Sequence, residues 1–137
     1  MNVEHPTSAI NLKQINQRSD LRIVLADPQR RVRSAIKTLL NQQSGIQVIG
    51  EAATLEHLEK LLKICQPDVL LIDPDLSGKP EESGIRSLRI KYPHISIIAM
   101  SGKPEMQQTA LEAGANRFVS KGDPPERLLS AIHQCHH

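Results

Sequence analysis

The chain has 137 residues, a formal net charge of +2 and a hydrophobic fraction of 39%, enough for one domain with a single core and no need of disulfide or metal staples. Tyr92 and Phe118 are its only aromatic residues, which excludes a stacking platform for single-stranded nucleic acid, and so small a charge implies no nucleic-acid partner by itself. Cys65 and Cys135 are too few for a disulfide framework, no apolar run approaches the roughly 20 residues of a membrane span and no signal-peptide pattern opens the chain, so a cytoplasmic protein with no membrane contact is expected.

Residues 1–20 are polar and aperiodic, with Pro6 and a Thr7-Ser8 pair, and read as a poorly ordered extension in which Ile10, Leu12 and Ile15 could form one weak helical turn. Leu21 to Ala26 is an apolar strand ending in Asp27-Pro28, after which Val32, Ile36, Leu39 and Leu40 recur at helical spacing. Ser44-Gly45 stops that helix. Ile46 to Glu51 is a second strand, and Leu55, Leu58 and Leu62 mark a second helix capped by Thr54 and halted by Pro67. Val69 to Ile72 is the most apolar stretch; it ends in Asp73 and breaks at once into Pro74, Ser77 and Gly78, as a strand buried on both faces does. Pro80 to Ser83 is loop or helix start, and Ile85 and Leu88 give a short third helix ending near Tyr92-Pro93. Ile95 to Met100 is a fourth buried strand leading into Ser101. Met106, Ala110 and Leu111 support a fourth helix closed by Gly114, and Asn116 to Val119 is a short fifth strand delivering Ser120 and Lys121. Pro124 and Pro125 open a last helix with Leu128, Leu129 and Ile132, so residues 21–135 form the domain and 136–137 a tail.

Alternating strands and helices imply a parallel sheet with helices on both faces. The expected fold is therefore α/β and flavodoxin-like: a doubly wound five-stranded parallel sheet of order 2-1-3-4-5 in three αβα layers. In that order the ends of strands one, three, four and five converge on one crevice, bringing together Asp27, Asp73, Ser101 and Lys121. Two carboxylates, a hydroxyl and an ammonium suit phosphoryl transfer to a carboxylate, which needs charge neutralisation by a Lys and a divalent cation. Mg2+ fits such a site, since it takes one or two carboxylates together with phosphate oxygens and water.

The sequence at these positions resembles the receiver domain of two-component response regulators. The resemblance rests on Leu25-Ala26-Asp27, on Val48 to Ala52, on Pro67 to Asp73, and on Ala113-Gly114-Ala115, Phe118 and Lys121, and is strongest to receivers fused to LuxR-type helix-turn-helix domains. It implies that Asp73 is the phosphoacceptor and Asp27 a metal-site acid, that Ser101 moves onto the phosphoryl group, that Lys121 pairs with that group, and that Phe118 is the aromatic switch. It further implies a histidine kinase or phosphotransfer protein as donor, room for a homodimer, and an output partner or fused DNA-binding domain that is not present in this chain. Such a domain is a signalling phosphoacceptor with at most self-catalysed phosphotransfer and dephosphorylation, not an enzyme in the usual sense.

Two positions depart from the receiver pattern. Pro28 stands where a second acid usually follows the first, so Mg2+ affinity is in doubt unless Asp75, through backbone or side chain, joins Asp27 and Asp73 at the metal. Gly122 stands where many receivers carry a cis proline after the lysine. The competing readings are an atypical, phosphorylation-independent receiver acting as a protein–protein interaction module, for which Pro28 speaks, and a small flavodoxin-like enzyme or nucleotide-binding protein. The last is disfavoured because Asp27-Pro28-Gln29-Arg30 replaces a Gly-rich phosphate loop. Arg30, Arg31, Arg33 and Lys37 read as a solvated basic face. His133, Cys135, His136 and His137 are metal ligands by type, but they crowd a terminus and no specific site is expected there.

Overall fold

The computed structural model describes residues 20–78 and 84–135. Its five strands are β1 (Leu21–Ala26), β2 (Ile46–Ala52), β3 (Val69–Ile72), β4 (Ser96–Ser101) and β5 (Arg117–Ser120), and its helices are α1 (Arg30–Asn41), α2 (Leu55–Ile64), α3 (Ile85–Lys91), α4 (Gln107–Ala113) and α5 (Pro125–Gln134). All strand pairs are parallel and the order is β2-β1-β3-β4-β5, as the alternation of elements predicts. Pro80 to Ser83, expected as loop or helix start, residues 1–19 of the expected extension with its Ile10 to Ile15 turn, and the tail at 136–137 lie outside the described residues.

Side-chain alternation along the strands creates two cores, because successive residues point to opposite faces. Val24, Leu70, Ile72 and Ile97 face Leu58 and Leu62 of α2, Ile85 and Leu88 of α3 and Ala110 of α4. Ile23, Leu25, Leu71 and Ile98 face Ile36 and Leu40 of α1 and Leu128 and Ile132 of α5. The result is three layers with the sheet in the middle. Burying both faces explains why Val69–Ile72 is an unbroken apolar run, with all four residues buried.

Local signals end the elements where chemistry requires. The Thr54 hydroxyl accepts from the His57 N–H at 3.0 Å and caps α2. Gly45, at φ 81°, turns the chain back after α1, a conformation that favours glycine. The fourth helix departs from its expected apolar face. Met106 belongs to a 3-10 turn (Pro104–Met106) before α4, Ala110 is the one residue of α4 that is fully buried, and Leu111 is 39% exposed. One residue beyond Ala110 is about 100° around a helix, which carries Leu111 out of the core.

Candidate functional site

The site follows from strand register. Ala26 pairs with Ile72, so the next residues, Asp27 and Asp73, leave the sheet side by side, and the Asp73 N–H donates to the Ala26 carbonyl at 2.9 Å. Ser101 pairs with Ser120 at the ends of β4 and β5, and the Lys121 N–H donates to the Ser101 carbonyl at 2.8 Å. Lys121 then reaches back across β4 with its side chain. Its Nζ lies 2.6 Å from Asp73 Oδ2 and 2.7 Å from Asp27 Oδ2, so one ammonium bridges two carboxylates that are only 5% and 4% exposed. Burial pulls the Lys121 pKa down, but the hydrogen bonds to Asp27 and Asp73 outweigh it and hold the ammonium above its ordinary value.

The remaining carboxylate oxygens are taken by backbone. Asp27 Oδ1 accepts from the Gln29 N–H at 2.8 Å, and Asp73 Oδ1 accepts from the Asp75 N–H at 2.7 Å. Asp27 therefore does not cap α1 directly; Gln29 holds the N-cap position without a side-chain bond, and Asp27 closes the turn before it. Asp73 is itself the cap of the 3-10 turn Pro74–Ser77.

Asp27, Asp73 and Lys121 are joined directly. Ser101 is buried at the end of β4 beside Lys121, and its Oγ accepts from the Lys103 N–H at 3.0 Å. Asp75 faces the same loop: its Oδ2 lies 3.7 Å from Lys103 Nζ, and its Oδ1 is buried with no hydrogen-bond partner among the described residues. Among the described residues no three His, Cys, Asp or Glu side chains are grouped to hold a metal ion. Asp27 and Asp73 each place an oxygen on the Lys121 ammonium, and these two carboxylates are the ones at this loop edge that could hold a divalent cation. Two carboxylates are what Mg2+ asks of a protein when phosphate and water complete its shell.

Lys121 reaches this position with Gly122 after it, and no peptide bond among the described residues is cis. Asp123 fixes the turn instead: its Oδ2 accepts from the Ser120 N–H at 3.1 Å, and its own N–H donates to the Ser120 carbonyl at 3.0 Å. Phe118 is half-buried and packs against the core on the α2, α3 and α4 side. The basic stretch of α1 is not one solvated face. Arg30 and Arg31 are exposed, but Arg33 turns inward to the Asp27 carbonyl oxygen and to Glu51.

The fold and this loop edge define a doubly wound α/β domain with a lysine-bridged pair of buried carboxylates, and comparison with known proteins is specific. The family of response regulator receiver domains matches residues 23–133, and the chain belongs to it. The nitrate/nitrite response regulator protein NarL of Escherichia coli K12 is 32% identical over 114 residues, covering 82% of this chain and 53% of NarL. The transcriptional regulatory protein DesR of Bacillus subtilis is 29% identical over 110 residues, covering 80% of this chain and 55% of DesR. The chain thus spans about half the length of these relatives. The signal receiver domain of NarL from Mycobacterium tuberculosis has the same fold, with a TM-score of 0.75 at 24% identity, covering 86% of this chain and 97% of that one. The resemblance to receivers of LuxR-type regulators is borne out, and the protein is a two-component receiver domain. Among the described residues no helix is long and apolar enough to cross a membrane.

Proposed function

We propose that this receiver accepts a phosphoryl group on Asp73 from a histidine kinase or phosphotransfer protein. The observation that carries this reading is the Lys121 ammonium bridging two buried carboxylates at 2.6 and 2.7 Å. It gives Asp73 the fixed positive neighbour that an incoming phosphoryl group requires. In the transfer an Asp73 carboxylate oxygen attacks phosphorus, the new O–P bond forms as the N–P bond to the donor imidazole breaks, and the imidazole leaves and takes up a proton. Lys121 Nζ moves with the charge from the Asp73 carboxylate to a phosphoryl oxygen, and the Ser101 hydroxyl donates to another oxygen of the same group. Asp27 and Asp73, with Asp75 through backbone or side chain, would hold Mg2+, which supplies charge neutralisation during transfer. Pro28 brings no carboxylate, so this set has one acid fewer than the usual pattern.

The output face would be α4, β5 and α5. α4 is seven residues long and buries fully only Ala110, and Phe118 is half-buried beside it, so little packing free energy resists a shift of this helix when Ser101 moves. A second copy of the chain or an output domain is the partner proposed for that face. The alternative reading, an interaction module that works without phosphorylation, is favoured by Pro28 alone. Labelling with radioactive acetyl phosphate separates the two. The phosphoacceptor reading expects Mg2+-dependent incorporation that is lost in Asp73→Asn; an unlabelled, folded wild-type protein selects the interaction module.

A further inference from the structure

Among the described residues no backbone N–H donates to the Asp27 carbonyl oxygen. Arg33 supplies a donor from its side chain. Its Nη1 lies 2.6 Å from that oxygen and its Nε 2.8 Å from Glu51 Oε1, and the Arg33 side chain is only 13% exposed. Glu51 is aimed by a second cation, since Lys37 Nζ takes its Oε2 at 2.9 Å. Lys37 first and Arg33 second hold the Glu51 carboxyl below its ordinary pKa, so it stays a charged acceptor at neutral pH. The guanidinium is therefore a planar fork with one arm set by a fixed carboxylate and the other on the backbone of Asp27.

Asp27 is thereby held at four points. Its N–H donates to the Ala52 carbonyl at 3.0 Å, its Oδ1 accepts from Gln29, its Oδ2 meets Lys121, and its carbonyl accepts from Arg33. The first three are made by neighbouring backbone or by the site itself. The fourth comes from a side chain outside the site. We infer that Arg33, oriented by Glu51, is a positioning residue: it fixes the backbone of Asp27, and with it the place where the Asp27 carboxylate meets Lys121 and Asp73. On the reading of Asp73 as phosphoacceptor, Arg33 sets the rate of phosphorylation without touching the reacting atoms.

A plain staple between α1 and β2 is the competing explanation, and Lys37 provides the control. Lys37 joins the same helix to the same Glu51 but has no contact with Asp27 among those described. The experiment uses the full chain in four forms, wild type, Arg33→Met, Arg33→Lys and Lys37→Met, with two readouts. One is the initial rate of Asp73 labelling over a range of acetyl phosphate concentrations with Mg2+. The other is hydrogen exchange of the Gln29 amide, which reports the Asp27 turn whether or not the site is phosphorylated. Arg33→Met should slow maximal labelling about tenfold or more with little change in half-saturation, as small misplacements of a reacting centre do. Gln29 exchange should rise about tenfold, as loss of a charge-assisted bond to the turn allows, with the β3 amides unchanged. Arg33→Lys, whose ammonium reaches one of the two acceptors, should restore part of both; should Arg33→Met not fold, it carries the same comparison with smaller changes in the same direction. Lys37→Met, which leaves the Arg33 bonds to Glu51 and to the Asp27 carbonyl in place, should change both readouts several-fold less than Arg33→Met. Equal effects of the Arg33 and Lys37 variants, or wild-type Gln29 exchange after Arg33 substitution, would overturn the inference. If wild type takes no label, the phosphoacceptor reading falls, while Gln29 exchange still decides the positioning role.

Discussion

Replacing Lys121 by Met would remove the one cation between two buried carboxylates. The Asp27 and Asp73 oxygens that share its Nζ lie within roughly 5 Å of each other, since each touches the same nitrogen, and at an effective dielectric constant of about 20 their repulsion is about 3 kcal/mol. Removing one member of a buried ion pair costs ~3–5 kcal/mol in other proteins, so two routes give a similar figure. Lys121→Met should therefore lower unfolding free energy by about 3 kcal/mol at pH 7, a large share of the ~5–15 kcal/mol that domains possess. Urea unfolding at fixed ionic strength measures it, with the denaturant slope unchanged. Adding Asp27→Asn to Lys121→Met should recover most of the loss, because a single buried carboxylate then remains. A loss below about 1 kcal/mol, or no recovery in the double variant, would refute the view that Lys121 neutralises this pair.

Lys121 also sets an alkaline limit: its pKa is raised in the folded protein, so its contribution is full below the ordinary value of 10.5 and is lost as pH rises through the higher folded value. Melting curves across that range should fall for wild type and stay flat in that component for Lys121→Met. Glu51 has the opposite sign. Its pKa lies below the ordinary 4.5, so its contribution is present above 4.5 and fades as pH drops through the folded value; unfolding free energies of wild type and Glu51→Gln should converge in acid. Arg89 donates to the Gly114 and Ile95 carbonyls at 3.0 and 2.8 Å and to Asn116 Oδ1 at 2.6 Å. Arg89→Ala should cost about 2–4 kcal/mol in urea unfolding, and Arg89→Lys should restore little, because an ammonium lacks the planar fork. Gly114→Ala should destabilise by about 1 kcal/mol or more in the same assay, since Gly114 sits at φ 123° and a Cβ there would lie 3.0 Å from Arg89 Cβ.

The strands were readable because burial on both faces leaves an unmistakable apolar run: the expected spans for β1 and β3 coincide with those observed. The convergence of Asp27, Asp73 and Lys121 was equally readable, since it depends only on strand order and on which residue follows each strand. Side-chain direction within loops was not. Asp75 turns to Lys103, a direction set by how the loops after β3 and β4 meet, which periodicity does not encode. Arg33 was hidden for a related reason: exposure on a helix depends on its rotation against the sheet, and only the packed structure brings the Glu51 end of β2 against that face. Met106 fell outside the helix because a 3-10 turn precedes α4, while Leu111 lies within α4 but on its exposed side, about 100° from the buried Ala110.

The position at which a phosphoryl group is attached tests the role of Asp73 most directly. Borohydride reduces an aspartyl phosphate to homoserine, so the wild-type chain treated with acetyl phosphate and Mg2+, then reduced and digested, should yield homoserine at position 73 in the peptide containing Asp68 to Gly78, and should yield none when Mg2+ is chelated. Homoserine at another position, or an unreduced Asp73 in a folded protein under the same conditions, would contradict the assignment.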